Sequence, residues 1–196
     1  MLFRSGPLIL AQLSGPKPSF SASDFGLVAH AGNIELMIVA SPGPPFANLE
    51  ALVAAAKDRP LTYAHGGLGG PSHLAFEYFK RTAGINLAAS AYKSEAQLVE
   101  DLATRDIAVG SVALAPLLPR VRAGELRVLA VTSANRSPLL PATRTVAEAG
   151  YPGFEASTFN LLVTPAQTPR DIISRLNTVF NAGVNSSALQ IGRAHV

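Results

Sequence analysis

Short continuous apolar runs alternate along the chain with longer segments in which apolar residues recur every three or four positions. The run Leu36–Ala40 does not alternate with polar residues, which predicts a strand covered on both faces. Strands that alternate with helices predict an α/β fold with a largely parallel sheet. The runs of strand length are Phe25–His30, Leu36–Ala40, Leu61–Ala64, Asn86–Ala91, Ile107–Val112, Leu126–Thr132 and Phe159–Val163.

Helix start and stop signals fall between these strands. Asn48 can cap a helix that Pro60 ends, and Pro71 can open a helix that ends at Gly84. Further predicted helices run from a capping box at Ser94–Gln97 to about Thr104, over Leu114–Ala123, and from Thr168–Pro169 to about Ala182, and a second capping box lies at Thr145–Glu148.

Composition excludes several classes of protein. With 48% hydrophobic and 15% charged residues, the 196-residue chain has enough apolar side chains for a globular core. Its net charge of +3 is small and its basic residues are scattered, so nucleic acid is not an expected partner. The chain has no cysteine for disulfides or thiolate sites, and it has no apolar stretch of about 18 residues that would predict a membrane span.

The loop His65–His73, with the sequence HGGLGGPSH, is the strongest candidate for binding chemistry. It joins a predicted strand to a predicted helix, and its four glycines allow a ligand to approach bare backbone amides. A helix start presents unsatisfied N–H groups and the positive end of the helix dipole, which favour a carboxylate or a phosphate. An ordinary strand-to-helix turn is the alternative, although it needs only one or two glycines.

The sequence of this loop gives less support to a nucleotide-binding site, a metal site or a catalytic site. Pro71-Ser72 stands where a phosphate-binding Walker loop needs Lys followed by Ser or Thr. His65 and His73 lack the spacing of a zinc-binding helix, so we expect them to make structural hydrogen bonds and predict no metal site. Ser72 has no G-x-S-x-G sequence around it and the acidic residues show no catalytic pairing, so we predict no catalytic residue and no cofactor.

The run Gly124–Glu155, GELRVLAVTSANRSPLLPATRTVAEAGYPGFE, carries the most specific resemblance to a known family. It resembles a pattern of the periplasmic solute receptors of tripartite tricarboxylate transporters, the Bug or TctC-like family. The segments His65–Leu74, Ala91–Ser94, Pro165–Pro169 and Arg175–Asn177 resemble further motifs of that family in the same order. Together the motifs extend over most of the chain.

This resemblance implies a type II periplasmic-binding-protein fold, in which two α/β lobes close over a ligand. We expect one nearly complete lobe over residues 41–158, and remnants of the other lobe over residues 6–40 and 159–190. The strands Leu36–Ala40 and Phe159–Val163 are then expected to be antiparallel crossover strands that form the hinge. The N-terminal part of the family, with its own glycine-rich anion loop, and its C-terminal part are expected to be missing, which makes the chain a fragment.

The function that the resemblance implies is an extracytoplasmic receptor, not an enzyme. It binds a small carboxylate between its lobes and delivers it to membrane transporter components. A di- or tricarboxylate, an amino acid or an aromatic acid is the expected ligand, and a monomer is the expected state. The alternatives are a ligand sensor for a membrane kinase and a phosphate-binding α/β enzyme. The implied location is the periplasm, with the signal peptide missing from the fragment.

The expected ligand-binding residues come from the glycine-rich loop, from the motif after it and from the hinge side. The amides of Gly67–Ser72 would hold the charge of the ligand, and the Ser72 hydroxyl would add a hydrogen bond. The full set is His65, Gly67, Gly69, Gly70, Ser72, His73, Tyr92, Ser94 and Phe159.

The two ends of the chain have a different expected origin. Residues 1–5, MLFRS, and residues 191–196, IGRAHV, resemble translations of a common sequencing adapter read on opposite strands. Ordinary frayed termini are the alternative. Both ends are therefore set aside when the fold is predicted.

Overall fold

The computed structural model describes residues 2–4, 19–43 and 46–184 of the chain. Backbone contacts divide the chain into two compact units. The first unit comprises Met1–Ile34 and Thr158–Val196, and the second unit is the continuous segment Glu35–Ser157. Most of the predicted remnant before residue 20, and the adapter-like residues 191–196, lie outside the described residues.

A five-stranded sheet forms the middle of the second unit. Its strands are β3 (Leu36–Ala40), β4 (Leu61–His65), β5 (Leu87–Ala91), β6 (Val109–Ala113) and β7 (Arg127–Val131), in the spatial order β5-β4-β6-β3-β7. β4 lies parallel to β5 and β6, whereas β3 lies antiparallel to β6 and β7. Four strands therefore share one direction, and the prediction of a largely parallel sheet is confirmed for this unit.

Helices cover both faces of this sheet. They are α1 (Leu49–Asp58), α2 (Pro71–Ala83), α3 (Glu95–Thr104) and α4 (Leu114–Arg122). One apolar cluster includes Leu52 of α1 and Phe76 of α2, and a second includes Leu98 of α3 and Leu117 of α4. All five residues of β3 are buried, with Ile38 in the first cluster and its neighbours Met37 and Val39 in the second. This two-sided burial is why the strand is apolar without a break.

Local capping defines the ends of the helices, largely as predicted. The Asn48 side chain accepts a hydrogen bond from the Ala51 amide at 2.8 Å, and α2 ends at Gly84 with a left-handed φ of 64°. Ser94 accepts from the Gln97 amide at 3.5 Å, but the Gln97 side chain donates to Asp101 instead of completing the capping box.

The second capping box is complete and closes a turn. The Thr145 amide donates to the Glu148 carboxylate at 2.9 Å, and the Glu148 amide donates to the Thr145 hydroxyl at 3.1 Å. The residues form hydrogen-bonded turns and no α-helix. Val146 and Phe154 are buried against the first apolar cluster, so the run Gly124–Glu155 acts in packing the second unit.

The first unit contains an antiparallel sheet of three strands. These are β1 (Leu2–Arg4), β2 (Phe25–Ile34) and β8 (Thr158–Pro165), in the order β1-β8-β2. Helix α5 (Arg170–Val184) packs against β2, where the Asn177 side-chain amide donates to the Val28 carbonyl at 2.6 Å. Leu2–Arg4, which we set aside as adapter-like, thus forms a short strand against β8.

The two predicted crossover strands lie in different sheets, and their role as a hinge stays a prediction. Leu36–Ala40 pairs with β6 and β7 inside the second unit, whereas Phe159–Val163 belongs to β8 and pairs in the other sheet. A strand that is apolar on both faces needs cover on both faces, which the helix-covered sheet of the second unit supplies. The division between units also falls between Ile34 and Glu35, before β3, and not after Ala40 as predicted.

Candidate functional site

The His65–His73 loop joins the end of β4 to the first turn of α2, as the sequence predicts. Gly67 has a φ of 140° and Gly69 a φ of 70°, both in the region that favours glycine. At Gly70, an added Cβ would lie 3.2 Å from the Gly67 carbonyl oxygen. The backbone itself therefore requires three of the glycines, so their number alone does not indicate a ligand.

Both histidines accept hydrogen bonds from backbone amides of the loop itself. Nδ1 of His65 accepts from the Gly67 amide at 3.3 Å, and Nδ1 of His73 accepts from the Gly69 amide at 3.0 Å. The centroids of the two rings are 4.2 Å apart. A ring nitrogen that accepts a hydrogen bond carries no proton, so each neutral ring carries its proton on Nε2. The expected structural hydrogen bonding by these histidines is confirmed.

Two more amides of the loop are also occupied. The Gly66 amide donates to the Ser72 hydroxyl oxygen at 3.3 Å, and the Gly70 amide donates to the Gly67 carbonyl at 3.1 Å. Pro71 has no N–H to offer. Loop formation therefore uses the amides of Gly67, Gly69 and Gly70, and the contact of a ligand with the segment Gly67–Ser72 stays a prediction.

Three backbone donors remain at the start of α2. The amides of Leu68, Ser72 and His73 donate to no group among the residues that the structure describes. The Ser72 hydroxyl accepts from Gly66 and retains its own proton for donation. Ser72 and His73 lie in the first turn of a 13-residue helix, where the positive end of the dipole favours an anion, and Leu68 lies in the loop before it.

A network of aromatic and charged side chains supports the histidines. The Tyr63 hydroxyl and the Lys80 ammonium both donate to Oε1 of Glu77, at 2.6 and 2.7 Å. Burial, with the Glu77 hydrogen bond, raises the pKa of Tyr63. Burial acts to raise the pKa of Glu77, but the hydrogen bonds from Lys80 and Tyr63 bring it below its usual value. The Tyr63 ring stacks on Phe76 with centroids 3.9 Å apart, which fixes it against α2.

The charge state of His65 follows from its surroundings. The side chain is buried, and burial, together with the neighbouring His73, holds the pKa of His65 below its usual value. His65 is therefore neutral near pH 7, and it adds no positive charge to the loop.

Ser111 is a polar residue at this site that the sequence analysis missed. It lies in β6 as the register partner of His65 in β4, and it is fully buried. Its hydroxyl oxygen and Nε2 of His65 are both buried without a hydrogen-bond partner within the described part of the chain. A serine inside the apolar strand Val109–Ala113 was the available signal, because a buried hydroxyl needs a partner.

The expected residues after β5 have structural partners of their own. The Tyr92 hydroxyl donates to Asp101 at 2.7 Å, and burial, with that carboxylate, raises the pKa of Tyr92 to about 12. The Tyr92 amide donates to the His65 carbonyl at 2.9 Å, which ties this segment to the loop. Ser94 is exposed and caps α3. Contact of Tyr92 or Ser94 with a ligand stays a prediction.

Phe159 lies in the first unit, in β8 opposite Asn33 of β2. Its ring centroid lies 6.2 Å from that of His30. The structure therefore places it in a different unit from the loop, and its expected role at the hinge side stays a prediction.

The described residues form neither a metal-binding cluster nor a membrane-spanning helix. Within residues 2–4, 19–43 and 46–184, no group of three or more His, Cys, Asp or Glu side chains could hold a metal ion. No helix in the described ranges is long and apolar enough to cross a membrane.

Known proteins share both the sequence and the fold of this chain. The chain is 34% identical over 164 residues to Protein BugT of Bordetella pertussis, an alignment that covers 83% of this chain and 50% of BugT. It is 31% identical to a UPF0065 protein from the tcbD-tcbE intergenic region of a Pseudomonas species, over 94% of this chain and 56% of that protein. The chain therefore spans about half the length of the curated relatives that it matches.

Solved structures give the same result for the fold. An R. palustris protein solved with adipate matches with a TM-score of 0.79 and 32% identity, over 87% of this chain and 58% of that one. A structure described as a periplasmic transporter matches with a TM-score of 0.86 over 96% of this chain and 64% of that one. At 22% identity, the second match shows the fold alone.

The model of a protein family covers nearly the whole chain. The model for the tripartite tricarboxylate transporter family receptor, TctC, matches residues 15–191. The members of this family are periplasmic solute-binding receptors and not enzymes. From this match, and from the relatives and structures that agree with it, the chain belongs to the tripartite tricarboxylate transporter receptor family.

Proposed function

We propose that this chain is the ligand-binding part of an extracytoplasmic receptor that binds a small carboxylate at the His65–His73 loop. The observation that carries the proposal is a set of donors in the loop and the first turn of α2 that have no hydrogen-bond partner among the described residues. They are the amides of Leu68, Ser72 and His73, with the Ser72 hydroxyl beside them. Backbone N–H and hydroxyl donors suit the two oxygens of a carboxylate, which accept up to about four hydrogen bonds.

The charges around the loop favour a carboxylate over phosphate. His65 is neutral, so the positive potential comes from backbone amides and from the dipole of α2. The Glu95 side chain borders the loop, since a Cβ placed on Gly66 would lie 3.1 Å from its Cγ. A negative charge at this position repels the dianion of phosphate more strongly than a single carboxylate group.

Membership of the family supports a small carboxylate as the ligand and a membrane transporter as the partner that receives it. Receptors of this family bind small carboxylates and work with a transporter, and the 32% identical R. palustris protein was solved with adipate. We extend both properties to this chain and propose a periplasmic location and delivery to membrane transporter components. Because the chain spans about half of its curated relatives, the activity of the whole receptor is part of the proposal.

Titration calorimetry on the full gene product tests the binding site. The probes are adipate, citrate, aspartate, benzoate and inorganic phosphate. We expect saturable binding of at least one carboxylate, and we expect Ser72→Ala to weaken it roughly ten- to a hundredfold, because a hydrogen bond to a charged group is lost. Thr82→Ala is the matched control and should leave the affinity unchanged. The Thr82 hydroxyl donates a hydrogen bond to the Tyr78 carbonyl at the other end of the same helix.

The possible outcomes separate the proposal from its alternatives. Unchanged affinity in Ser72→Ala would contradict the site, and binding of phosphate alone with turnover of a phosphorylated substrate would support the enzyme alternative. Uptake of the bound carboxylate by cells that contain the receptor and the transporter supports delivery. A kinase response without uptake supports the sensor alternative.

A further inference from the structure

Two buried polar atoms on neighbouring strands lack hydrogen-bond partners among the described residues. They are Nε2 of His65 in β4 and the hydroxyl oxygen of Ser111 in β6. The two residues are register partners in parallel strands, so their side chains lie side by side on one face of the sheet. A buried polar group is rarely left without a partner, so this pair requires an explanation.

Neighbouring residues show which face this is. A Cβ on Gly110, next to Ser111, would lie 3.2 Å from Leu102 of α3, so Gly110 faces α3 and Ser111 faces the opposite side. The His65 ring also lies on that opposite side, because it contacts Tyr63 and His73 of the α2 face. The Ser111 hydroxyl and the His65 ring therefore share the space below the glycine-rich loop.

The hydrogen bond at Nδ1 defines what Nε2 can do. Because Nδ1 of His65 accepts from the Gly67 amide, the neutral ring carries its proton on Nε2. Nε2 is therefore a buried donor, and Ser111 is a neighbouring hydroxyl that can accept.

We propose that Ser111 is a positioning residue for the binding loop: Nε2–H of His65 donates a hydrogen bond to one bridging water, which the Ser111 hydroxyl holds in place. This hydrogen bond holds the tautomer of His65 in which Nδ1 is free to accept from Gly67. Ser111 in β6, His65 in β4 and Gly67 in the loop are then linked by a chain of hydrogen bonds, which we call the relay. The link to ligand affinity rests on the proposed function, whereas the tautomer of His65 does not depend on it.

The other tautomer loses the hydrogen bond from the Gly67 amide to Nδ1 of His65. A proton on Nδ1 would point at the Gly67 N–H, so that two donors would face each other and the loop would have to rearrange. Three titratable groups face the ring: His73 and Glu77 from α2, and Tyr63 from β4 itself. Protonation of His65 at low pH also places a proton on Nδ1 and removes the same hydrogen bond.

Nitrogen NMR of the imidazole rings tests the relay without any ligand. In the wild-type chain we expect Nδ1 of His65 to give the resonance of an unprotonated ring nitrogen and Nε2 that of a protonated one. In Ser111→Ala we expect a mixture of tautomers. The exposed Ser174→Ala is the control and should leave the spectrum of His65 unchanged. A wild-type ring protonated on Nδ1, or an unchanged tautomer in Ser111→Ala, would overturn the proposal.

Calorimetry with the best carboxylate probe tests the effect on the loop. We expect Ser111→Ala to weaken binding roughly fivefold, as for the loss of one neutral hydrogen bond, and to shift the pH profile of affinity. His65→Asn keeps an acceptor at the δ position and has no Nε2–H. In that background Ser111→Ala should have no further effect. Additive losses in the double variant would contradict the relay.

The two proposals can fail separately. A wild-type protein that binds no carboxylate but shows the tautomer change in Ser111→Ala contradicts the proposed function and supports the relay. Carboxylate binding with no tautomer change supports the function and contradicts the relay.

Discussion

The two units of the chain differ in how they bury their side chains. In the second unit, helices cover both faces of a five-stranded sheet, and the two apolar clusters of the described residues lie there. In the first unit, α5 has no buried residue, although its apolar residues recur at helical spacing. Ile172, Leu176 and Val179 on this helix are all exposed, Val179 by 64%.

This difference shows what hydrophobic periodicity does and does not determine. An apolar stripe predicts that a segment forms a helix, but it does not state which surface covers the stripe. The second unit is one continuous segment, which contains both the helices and the sheet that they cover. The described elements of the first unit come from two distant parts of the chain, and they bury few side chains between them.

The largest expected effect comes from deleting the same side chain in each unit. Leu52 in α1 is fully buried, and Leu176 in α5 is 41% exposed. We expect Leu52→Ala to lower the free energy of unfolding by about 2–5 kcal/mol and Leu176→Ala to change it by about 0.5 kcal/mol or less. Urea unfolding measures both values, and equal losses would show that the first unit is as well packed as the second.

Glycine substitutions should have opposite signs in the two units. Gly69→Ala places a residue with a Cβ at a backbone φ of 70°, which we expect to lower the free energy of unfolding by about 1–2 kcal/mol. Gly183→Ala lies near the end of α5, where no atom of the described residues outside the helix's own backbone and the chain neighbours lies within 4 Å of the new Cβ, and should stabilise by up to about 1 kcal/mol. Thermal unfolding of both variants gives the signs, and stabilisation by Gly69→Ala would contradict the loop geometry.

The smallest expected effect is a dependence on pH in the second unit. The folded pKa of His65 is lowered, so its contribution is fully present above the unfolded value of about 6.5 and is lost as the pH falls below that value. The pKa of Glu77 is also lowered, so its contribution is lost at a more acidic pH, as the carboxylate takes up a proton.

Hydrogen exchange of individual amides between pH 5 and pH 8 shows which unit loses stability as the pH falls. We expect amides of β4 and α2 to lose protection as the pH falls towards 5, and we expect His65→Asn to remove that change. A loss of protection that persists in His65→Asn would assign it to another group.

Much of the second unit could be predicted because its signals are local. Asn48 caps α1, Pro71 opens α2 and Gly84 ends it, as the sequence predicts. Each of these roles depends on the backbone within a few residues. The capping box at Thr145–Glu148 also forms as predicted, and the residues that follow it make turns, because a box specifies a start and not a length.

The candidate site was predictable in position but not in detail. The glycine-rich loop lies where the sequence placed it, between a strand and a helix. Ser111 was missed because it lies 46 residues after His65 in the sequence, and only the pairing of β4 with β6 brings the two together. Tyr92 was expected to face a ligand, yet its hydroxyl bonds to Asp101 of α3.

The sequence by itself determined the elements, the family resemblance and the loop, because caps, turns and glycine conformations depend on neighbouring residues. The tertiary structure alone decided which strand lies beside which, and it places Leu36–Ala40, expected in the remnant of the other lobe, in the sheet of the second unit. It also decided which donors of the loop have no partner in the described part of the chain: the histidines accept from glycine amides, and the amides of Leu68, Ser72 and His73 remain. Hydrogen bonds are satisfied by whichever group lies nearest in space, and periodicity along the chain does not contain that information.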